Sequence, residues 1–499
     1  MSALSKSKII ASRQCPKRLW LEVHRQDLCE YSEDSRAAFA TGHEVGAAAR
    51  SIYDPSGKGV MLDVDQEGVS GAIERTSRLI PTAEGPIFEA GFQAGGGRAF
   101  ADVLLPVEQN ETRAWRMVEV KSSGGVKDYH REDIAVQAHI ARASGLPLTS
   151  VALAHINTGW VYEKEGVYDG LLTEHDMTEE AFGRDSEVAE WIREAHEVVR
   201  SPEEPRIAPG DHCYSPFECG FCNYCHRDVL KPEYPLWALP RFHRRRQEDC
   251  EDLGIEDLRE VPDSLLNDMQ RRVRDHTISG TPYFDAGGAK AALEPYGFPA
   301  LFLDFEAVSL PVPLWLGTRP YQQIPFQFSL HAVSDTGVVS HGDFLDLSGD
   351  DPSRPCAEAL IKQCSGDGPI FVYNASFEKR VIRDLAERFD DLAEPLGGLL
   401  PRIVDLLPVA RSHYYHPSQM GSWSIKAVLP AICPDLSYED LEEVQDGNDA
   451  VQAYRMALQH RRDQNTEQLK RIDGQLREYC RLDTLAMVRI WKFFTGRGE

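Results

Sequence analysis

Apolar and polar residues alternate with the two-residue period of a strand through residues 86–121. PIFEAGFQ, a GGG turn, RAFADVLLPV, a polar turn and RAWRMVEVKSS predict three adjacent strands joined by tight turns. Residues 1–60 read mostly as helices, the small-residue run 37–53 most clearly. At 129–144, YHREDIAVQAHIARAS, the period becomes helical. VALAHINTGWVYE predicts a further strand pair, and 177–200 and 249–276 predict charged helices. A second block begins near Pro299. ALFLDFEAVSL predicts a buried strand, with IPFQFSLHAV and SHGDFLDL as its hairpin partners. A helix over 353–365, the strand GPIFVYN, the helix ASFEKRVIRDLAERF and a long last helix over 463–495 follow. Strands first, then strands alternating with helices, predict an α/β fold with a mixed sheet flanked by helices.

With 499 residues there is material for two or three domains. The pattern divides the chain into 1–230, a helical connector 231–295, and 296–499. Within the connector, RFHRRR at 241–246 reads as a solvated helix face rather than a dedicated DNA contact. A hydrophobic share of 42% and a charged share of 27% place the chain among ordinary globular proteins. The net charge of −25 argues against a surface coated with basic residues for non-specific nucleic-acid binding, while leaving room for a local basic groove. No apolar run approaches the roughly 20 residues of a membrane span. The N-terminal MSALSKSKIIASRQCPKRLW lacks the apolar core of a secretory signal. The expectation is a cytoplasmic protein with no membrane partner.

Eleven cysteines, an odd number, suit a reducing compartment better than a disulfide framework. Cys213, Cys219, Cys222 and Cys225 fall within CYSPFECGFCNYC, at the end of the first block. Thiolates are strong soft ligands, and a loop this dense in them can fold round one ion or cluster. Four local ligands suit tetrahedral Zn²⁺, and His212 and His226 are able to join. Cys29, Cys250, Cys356, Cys364, Cys433 and Cys480 read as structural thiols.

In the first block, Asp102 sits in AFADVLLPV, and Glu119 and Lys121 in MVEVKSS. Residues two apart on a strand share a face, so Glu119 and Lys121 are neighbours, with Val118 and Val120 opposite. An antiparallel neighbour brings Asp102 to the same place. Two carboxylates can then hold Mg²⁺ or Mn²⁺, and the lysine can orient a nucleophile or stabilise developing charge. Without a metal, Glu119 and Lys121 would be an exposed ion pair of small worth.

This D-(x)n-E-x-K pattern resembles the PD-(D/E)XK nucleases, the RecB-like branch in particular. The resemblance implies a restriction-endonuclease-like mixed sheet, with Gln137 as a catalytic glutamine on the following helix and Glu89 as a possible further member. That branch carries a metal-binding histidine four residues after a glycine. Here Gly42 is followed by HEVG, so Gly46 stands in that place and His43 falls on another face. Some RecB-like nucleases carry an iron–sulfur cluster held by one early cysteine and three late ones. Cys15, in SRQCPKRLW, resembles the early one, and Cys213, Cys219 and Cys225 would complete a 4Fe-4S site, with Cys222 as the alternative ligand. Zn²⁺ on the four local cysteines remains the competing assignment.

In the second block, Asp304 and Glu306 share one strand face, and Tyr479 and Asp483 share one helix face at i, i+4. D-x-E on the first strand and Y-x-x-x-D on the last helix resemble the DnaQ-like DEDD exonucleases with a tyrosine in the third motif. The resemblance implies a ribonuclease H-like sheet, two metal ions on four carboxylates, and Tyr479 orienting the attacking water. The middle motif, YNASFEK, offers Glu378 where the family has aspartate. Asp405 is a rival ligand. HYYHPSQMGSWSIKAVLP supplies aromatics and Lys426, suited equally to stacking on a single strand and to core packing. The whole resembles a two-domain bacterial family pairing a RecB-like with a DnaQ-like domain. It implies a metal-dependent deoxyribonuclease, an exonuclease on single-stranded or end-bearing DNA in repair or anti-phage defence. An RNA-processing 3′–5′ exonuclease and a nucleic-acid-binding scaffold with a degenerate first site are the alternatives.

Overall fold

The computed structural model describes residues 3–497, except 32, 110–111, 228–231, 243, 437, 439–440 and 442. Contacts gather the chain into two units, Met1–Val229 with Leu310–Gln322, and Leu230–Ser309 with Gln323–Glu499. Each has a mixed sheet flanked by helices.

The first unit opens with β1 (Leu4–Ser5), α1 (Lys6–Gln14), α2 (Pro16–His24), α3 (Glu33–Tyr53), β2 (Val60–Met61) and α4 (Val64–Leu79). The alternating stretch then folds as β3 (Ile87–Ala94), β4 (Gly97–Gln109) and β5 (Thr112–Lys121), an antiparallel meander. Next come α5 (Asp128–Ala143), β6 (Leu148–Ile156), β7 (Leu172–Asp176), α6 (Thr178–Gly183), α7 (Asp185–Arg200) and the short α8 (Cys222–His226). Among the described residues the sheet has the order β2-β3-β4-β5-β6-β7, with β1 parallel to β4 and β6 parallel to β5. The alternation is visible in the packing. Met117 of β5 packs in one cluster with Ile134 and Ala138 of α5 and Trp191 of α7. Val118 packs on the other side, with Phe88, Val103 and Tyr53.

Two expectations fail here. The second strand of the pair predicted at 151–163 does not form. Residues Thr158 and Gly159 turn, and β7 takes the place beside β6 instead. The helix predicted over 177–200 is broken at Arg184 into α6 and α7.

The second unit contains α9 (Arg244–Asp252), α10 (Asp268–Ser279), β8 (Tyr283–Phe284), α11 (Ala286–Leu293), β9 (Ala300–Ser309), β10 (Gln323–Val333) and β11 (Val339–Leu345). Then follow α12 (Ser353–Gln363), β12 (Ile370–Val372), α13 (Ser376–Arg388), α14 (Ala393–Leu399), β13 (Ile403–Asp405), α15 (Leu406–His413), β14 (Tyr414–Tyr415), α16 (Ile425–Ile432), α17 (Gly447–Arg462) and α18 (Thr466–Thr495). The sheet order is β11-β10-β9-β12-β13, antiparallel through β9 and parallel beyond it. Leu301, Leu303 and Phe305 of β9 pack with α12 and α13 residues. Ala300 and Phe302 pack with Met487, Trp491 and Phe494 of α18. By the same alternation Asp304 and Glu306 face α18.

The helix predicted over 249–276 is not continuous. Gly254 (φ +68) and Pro262 stand between α9 and α10 and break it. The stretch read as a connector belongs to the second unit, where Val273 of α10 and Ala289 and Leu293 of α11 join the core. In the basic run, His243 and the Arg244 side chain lie outside the described residues. Arg246 donates to Gln270 Oε1 at 3.2 Å and to the Leu265 carbonyl, a structural role.

Candidate functional sites

In the first unit, β3, β4 and β5 bring Glu89, Asp102 and Glu119 into line. The registers Ala90↔Ala101 and Val103↔Val118, continued by one residue, set Asp102 between the other two. Asp102 Oδ2 accepts from the Val120 N–H at 2.7 Å. Glu119 is only 2% exposed, and its Oε2 has no hydrogen-bond partner among the described residues. Its Oε1 accepts from Lys121 Nζ at 2.7 Å and from Lys6 Nζ at 2.8 Å. Both ammonium groups also reach Asp133 Oδ2 on α5, Lys6 at 3.2 Å. Glu119 is thus two-sided: one oxygen is neutralised by lysines, and the other is buried and bare.

The electrostatics follow that division. Burial raises the Asp102 proton affinity well above the carboxylate norm, and the Glu119 charge adds to it. Glu89 is raised for the same two reasons. Burial pushes Asp133 up as well, but Lys6 and Lys121 overcome it and hold that carboxyl well below its usual range. Burial disfavours the charged Lys121, yet Glu119 and Asp133 raise it well above its usual value.

Gln137, also on α5, is not placed among these charges by any hydrogen bond. Its amide donates to the Phe100 carbonyl of β4, and its Oε1 is buried without a partner. His43 is exposed and acts on Glu89 only through its field. Asp133 and Lys6 were missed in the sequence. Asp133 precedes Gln137 by four residues, one helical turn on the same face, so a signal existed. Lys6 had none.

The cysteines of the first unit gather. Cys15, Cys213, Cys219, Cys222 and Cys225 line one cavity, together with Lys17, Arg18 and His212. Cys15 sits at the junction of α1 and α2, where Pro16 starts the second helix. Gln14 ties that junction to the loop, donating to the carbonyls of His212 and Phe217, each at 2.7 Å. The loop holds itself by Cys219 N–H to the Cys213 carbonyl at 2.8 Å and Cys225 N–H to the Phe221 carbonyl at 2.9 Å. Tetrahedral zinc with bonds of 2.3 Å sets its sulfurs roughly 3.8 Å apart. Among the described residues no three of these sulfurs lie within 4.8 Å of one another.

In the second unit, Asp304 and Glu306 of β9 meet α18, whose buried face carries Leu476, Tyr479, Cys480, Asp483 and Thr484. Tyr438 donates to Asp483 Oδ1 at 2.6 Å, and the Tyr479 hydroxyl lies near enough to favour the Asp483 charge. Burial raises Asp304, and Asp483, Glu306 and Glu378 add to it in that order. Glu306 is raised by burial and then by Asp483. Asp483 is pushed up to about 6 by burial, against the Tyr438 hydroxyl that favours its charge. Glu378, on α13, is 3% exposed, is pushed up to about 8 by burial, and has an Oε2 with no partner. Lys426 lies 5.6 Å from the Tyr479 ring and 5.3 Å from the Tyr438 ring, and donates to the Gln445 carbonyl at 2.6 Å.

Asp405 is an N-cap rather than part of this group. It accepts from the N–H groups of Leu407, Asn374 and Ala375 at 2.9 to 3.1 Å. Tyr414, Tyr415 and Trp423 are buried in the core. Tyr438 was missed, and no spacing in the sequence announces it.

One family comparison overlaps this geometry. A family described as Domain of unknown function (DUF2779) matches residues 301–424. The match covers about a quarter of the chain. It includes Asp304, Glu306 and Glu378 and stops before Lys426, Tyr479 and Asp483. No curated protein matches the chain. Among the described residues no helix is long and apolar enough to cross a membrane.

Proposed function

We propose that the chain is a metal-dependent nuclease that hydrolyses phosphodiester bonds in DNA, with one active site in each unit. In this reading the first unit is a restriction-endonuclease-like, RecB-like domain and the second a ribonuclease H-like, DnaQ-like domain. The observation that carries it is the convergence of the half-buried Asp304 and the buried Glu306 of β9 with the buried Asp483 of α18, whose charge raises the proton affinities of the other two. Clustered buried carboxylates are unfavourable for a fold unless a cation or a proton joins them. Carboxylate oxygens are the natural ligands of Mg²⁺ and Mn²⁺.

Asp304, Glu306, Asp483 and Glu378 would hold the metal of the second site. When bound, it supplies a more acidic water and a counter-charge for phosphate. Tyr438 and Tyr479 keep Asp483 oriented, and the Tyr479 hydroxyl is the group suited to align the attacking water. In the first site, Asp102, Glu89 and the bare Oε2 of Glu119 would hold the metal. Lys121, fixed by Glu119 and Asp133, then presents its ammonium to the charge that develops on the phosphate. Gln137 ties α5 to β4 beneath them.

The cysteine cavity fits an iron–sulfur cluster. Its thiols come from the start and the end of the unit, the one-early and several-late arrangement that the resemblance implies, and thiolates are the ligands such clusters take. Cys15, Cys213, Cys219 and Cys225 are the assigned ligands, with Cys222 in reserve. The cluster would close the domain through covalent links between distant segments.

The test uses end-labelled single-stranded DNA with Mg²⁺ or Mn²⁺, and the variants Lys121→Ala and Asp304→Asn made separately. Each is expected to remove a different set of cleavage products. Wild-type cleavage untouched by either change would overturn both assignments. An RNA strand of the same sequence, as competitor, decides between DNA and RNA.

A further inference from the structure

Cys480 stands one residue after Tyr479 and three before Asp483 on α18, and its side chain is wholly buried. Its surroundings are not those of a thiol that only fills space. Its sulfur and one carboxylate oxygen each from Asp304 and Glu306 all lie within 4.8 Å of one another. This is the one such group of three or more potential metal ligands among the described residues. The hydrogen bond recorded for the thiol is to the Asp304 carbonyl, at a long 3.9 Å. Glu378, with its unpartnered Oε2, adds its field to Asp304. Bonds of 2.0–2.3 Å from a single ion to one sulfur and two oxygens place those atoms within such a distance. The donor set is therefore mixed. Two hard carboxylates suit Mg²⁺ or Mn²⁺, whereas a thiolate beside them selects softer ions.

We propose that the second site also takes a thiophilic divalent cation of the Zn²⁺ class, held by Cys480, Asp304 and Glu306, and that this ion excludes Mg²⁺ and Mn²⁺ from the same carboxylates. The inference rests on reading that site as a metal centre. Binding breaks the S–H bond and forms a metal–sulfur bond, and the proton leaves to the buffer, one per ion bound. Mg²⁺ makes no comparable bond and leaves the thiol protonated. The consequence is regulation by metal identity: traces of the soft ion silence a site that the hard ion activates.

The test is a Co²⁺ titration of the full-length protein, purified without air, followed by absorption. Wild type is expected to show a thiolate-to-cobalt charge-transfer band that both Cys480→Ser and Asp304→Asn lack. Absorption from the cysteine-rich loop is common to all three and cancels in the difference spectra. Zn²⁺ affinity in competition with Mg²⁺ is expected to fall by at least about 10-fold in Cys480→Ser, since losing a ligand costs no less than losing a group that supports one. Cys480→Ala, checked for wild-type circular dichroism, replaces the serine variant if that one fails to fold. Superimposable cobalt spectra of wild type and the Cys480 variant overturn the proposal. If that happens while Asp304→Asn still abolishes Mg²⁺-dependent cleavage, the nuclease reading stands without it. If the band behaves as expected but no cleavage is found, the soft-metal site stands and the nuclease reading falls.

Discussion

The two carboxylate groups differ in where their counter-charge comes from. In the first unit the chain supplies it. Lys6 and Lys121 are both bonded to Glu119 and Asp133, so half of the site is neutralised before any ion arrives. In the second unit, among the described residues, no lysine or arginine pairs with Asp304, Glu306 or Asp483. Lys426 acts on Glu306 and Asp483 only through its field, and tyrosine hydroxyls favour the Asp483 charge instead. Asp133, bonded to both lysines, is held charged, whereas Asp102 and Glu89 beside it and Asp304 in the second unit, none of them bonded to a lysine among the described residues, hold protons more tightly than usual. The first site thus has one carboxylate, Asp133, that its own lysines hold well below the usual range. A metal ion entering the second would have to displace protons from its carboxylates.

The largest effect expected from that contrast concerns metal affinity and turnover. Asp483→Asn removes a ligand and the anchor of both tyrosines, and is expected to lower cleavage by the second site roughly 10³-fold, several kcal/mol of charge stabilisation. Mg²⁺ binding to that site should weaken as pH falls through about 6, where Asp483 gains its proton. Calorimetric titrations of an Asp102→Asn background, which lacks a ligand of the first site, at pH 5.5 and 8 measure this. Equal affinities at the two pH values would remove the proton–metal exchange.

Stability carries the next effect, and its sign differs between the sites. Glu378 is pushed up to about 8, so the folded chain holds a proton there that the unfolded chain has lost above about pH 4.3. More protons bound in the folded state means that stability falls as pH rises from there toward 8. Glu378→Gln should therefore stabilise the EDTA-treated protein by about 3 kcal/mol at pH 7 and by almost nothing at pH 4. The same change should reduce Mg²⁺-dependent cleavage, a trade of activity for stability. Asp133, held low by its lysines, behaves in the opposite way. Its contribution is complete above about pH 4 and is lost as pH falls below that. Asp133→Asn should destabilise at pH 7 and do little in acid. Urea unfolding across pH reads both variants. Slopes of the same sign for the two would dissolve the distinction drawn between the sites.

Legibility in the sequence followed periodicity. The meander β3-β4-β5 could be read because each strand alternates cleanly and each turn carries glycine or polar residues. The facing of Asp304 and Glu306 could be read because Phe302 and Leu303 on either side of the alternation pack into different clusters. The break in 249–276 was overlooked because charged residues gave the stretch a helical look, and Pro262 was outweighed. Tyr438, Lys6 and Cys480 could not be found, since each reaches its site through tertiary packing alone. Cys480 was read as structural because a lone thiol carries no period, and only the fold sets it beside two carboxylates. Asp405 looked like a ligand because a carboxylate at the end of a buried strand is ambiguous, until the N–H groups it caps are counted.

A smaller effect separates the two lysines. Lys121 shares β5 with Glu119, two residues away, so its ammonium is fixed by the strand itself. Lys6 arrives at the first turn of α1 and touches the same two oxygens from another element. If Lys6 serves as a counter-ion to Glu119 and Asp133, its loss leaves Lys121 to balance both. Lys6→Ala should then cost the first site about 10-fold in turnover, less than the roughly 10²-fold expected for Lys121→Ala. It should also move the acid limb of the pH–rate profile upward, because Asp133 loses a cation that favours its charged form. Lys6→Arg should restore most of the rate, and the profile with it, since the charge returns at the same place. A Lys6→Ala enzyme with an unchanged pH profile would show that Lys6 only pins α1 to the sheet, and that Lys121 alone balances the first site.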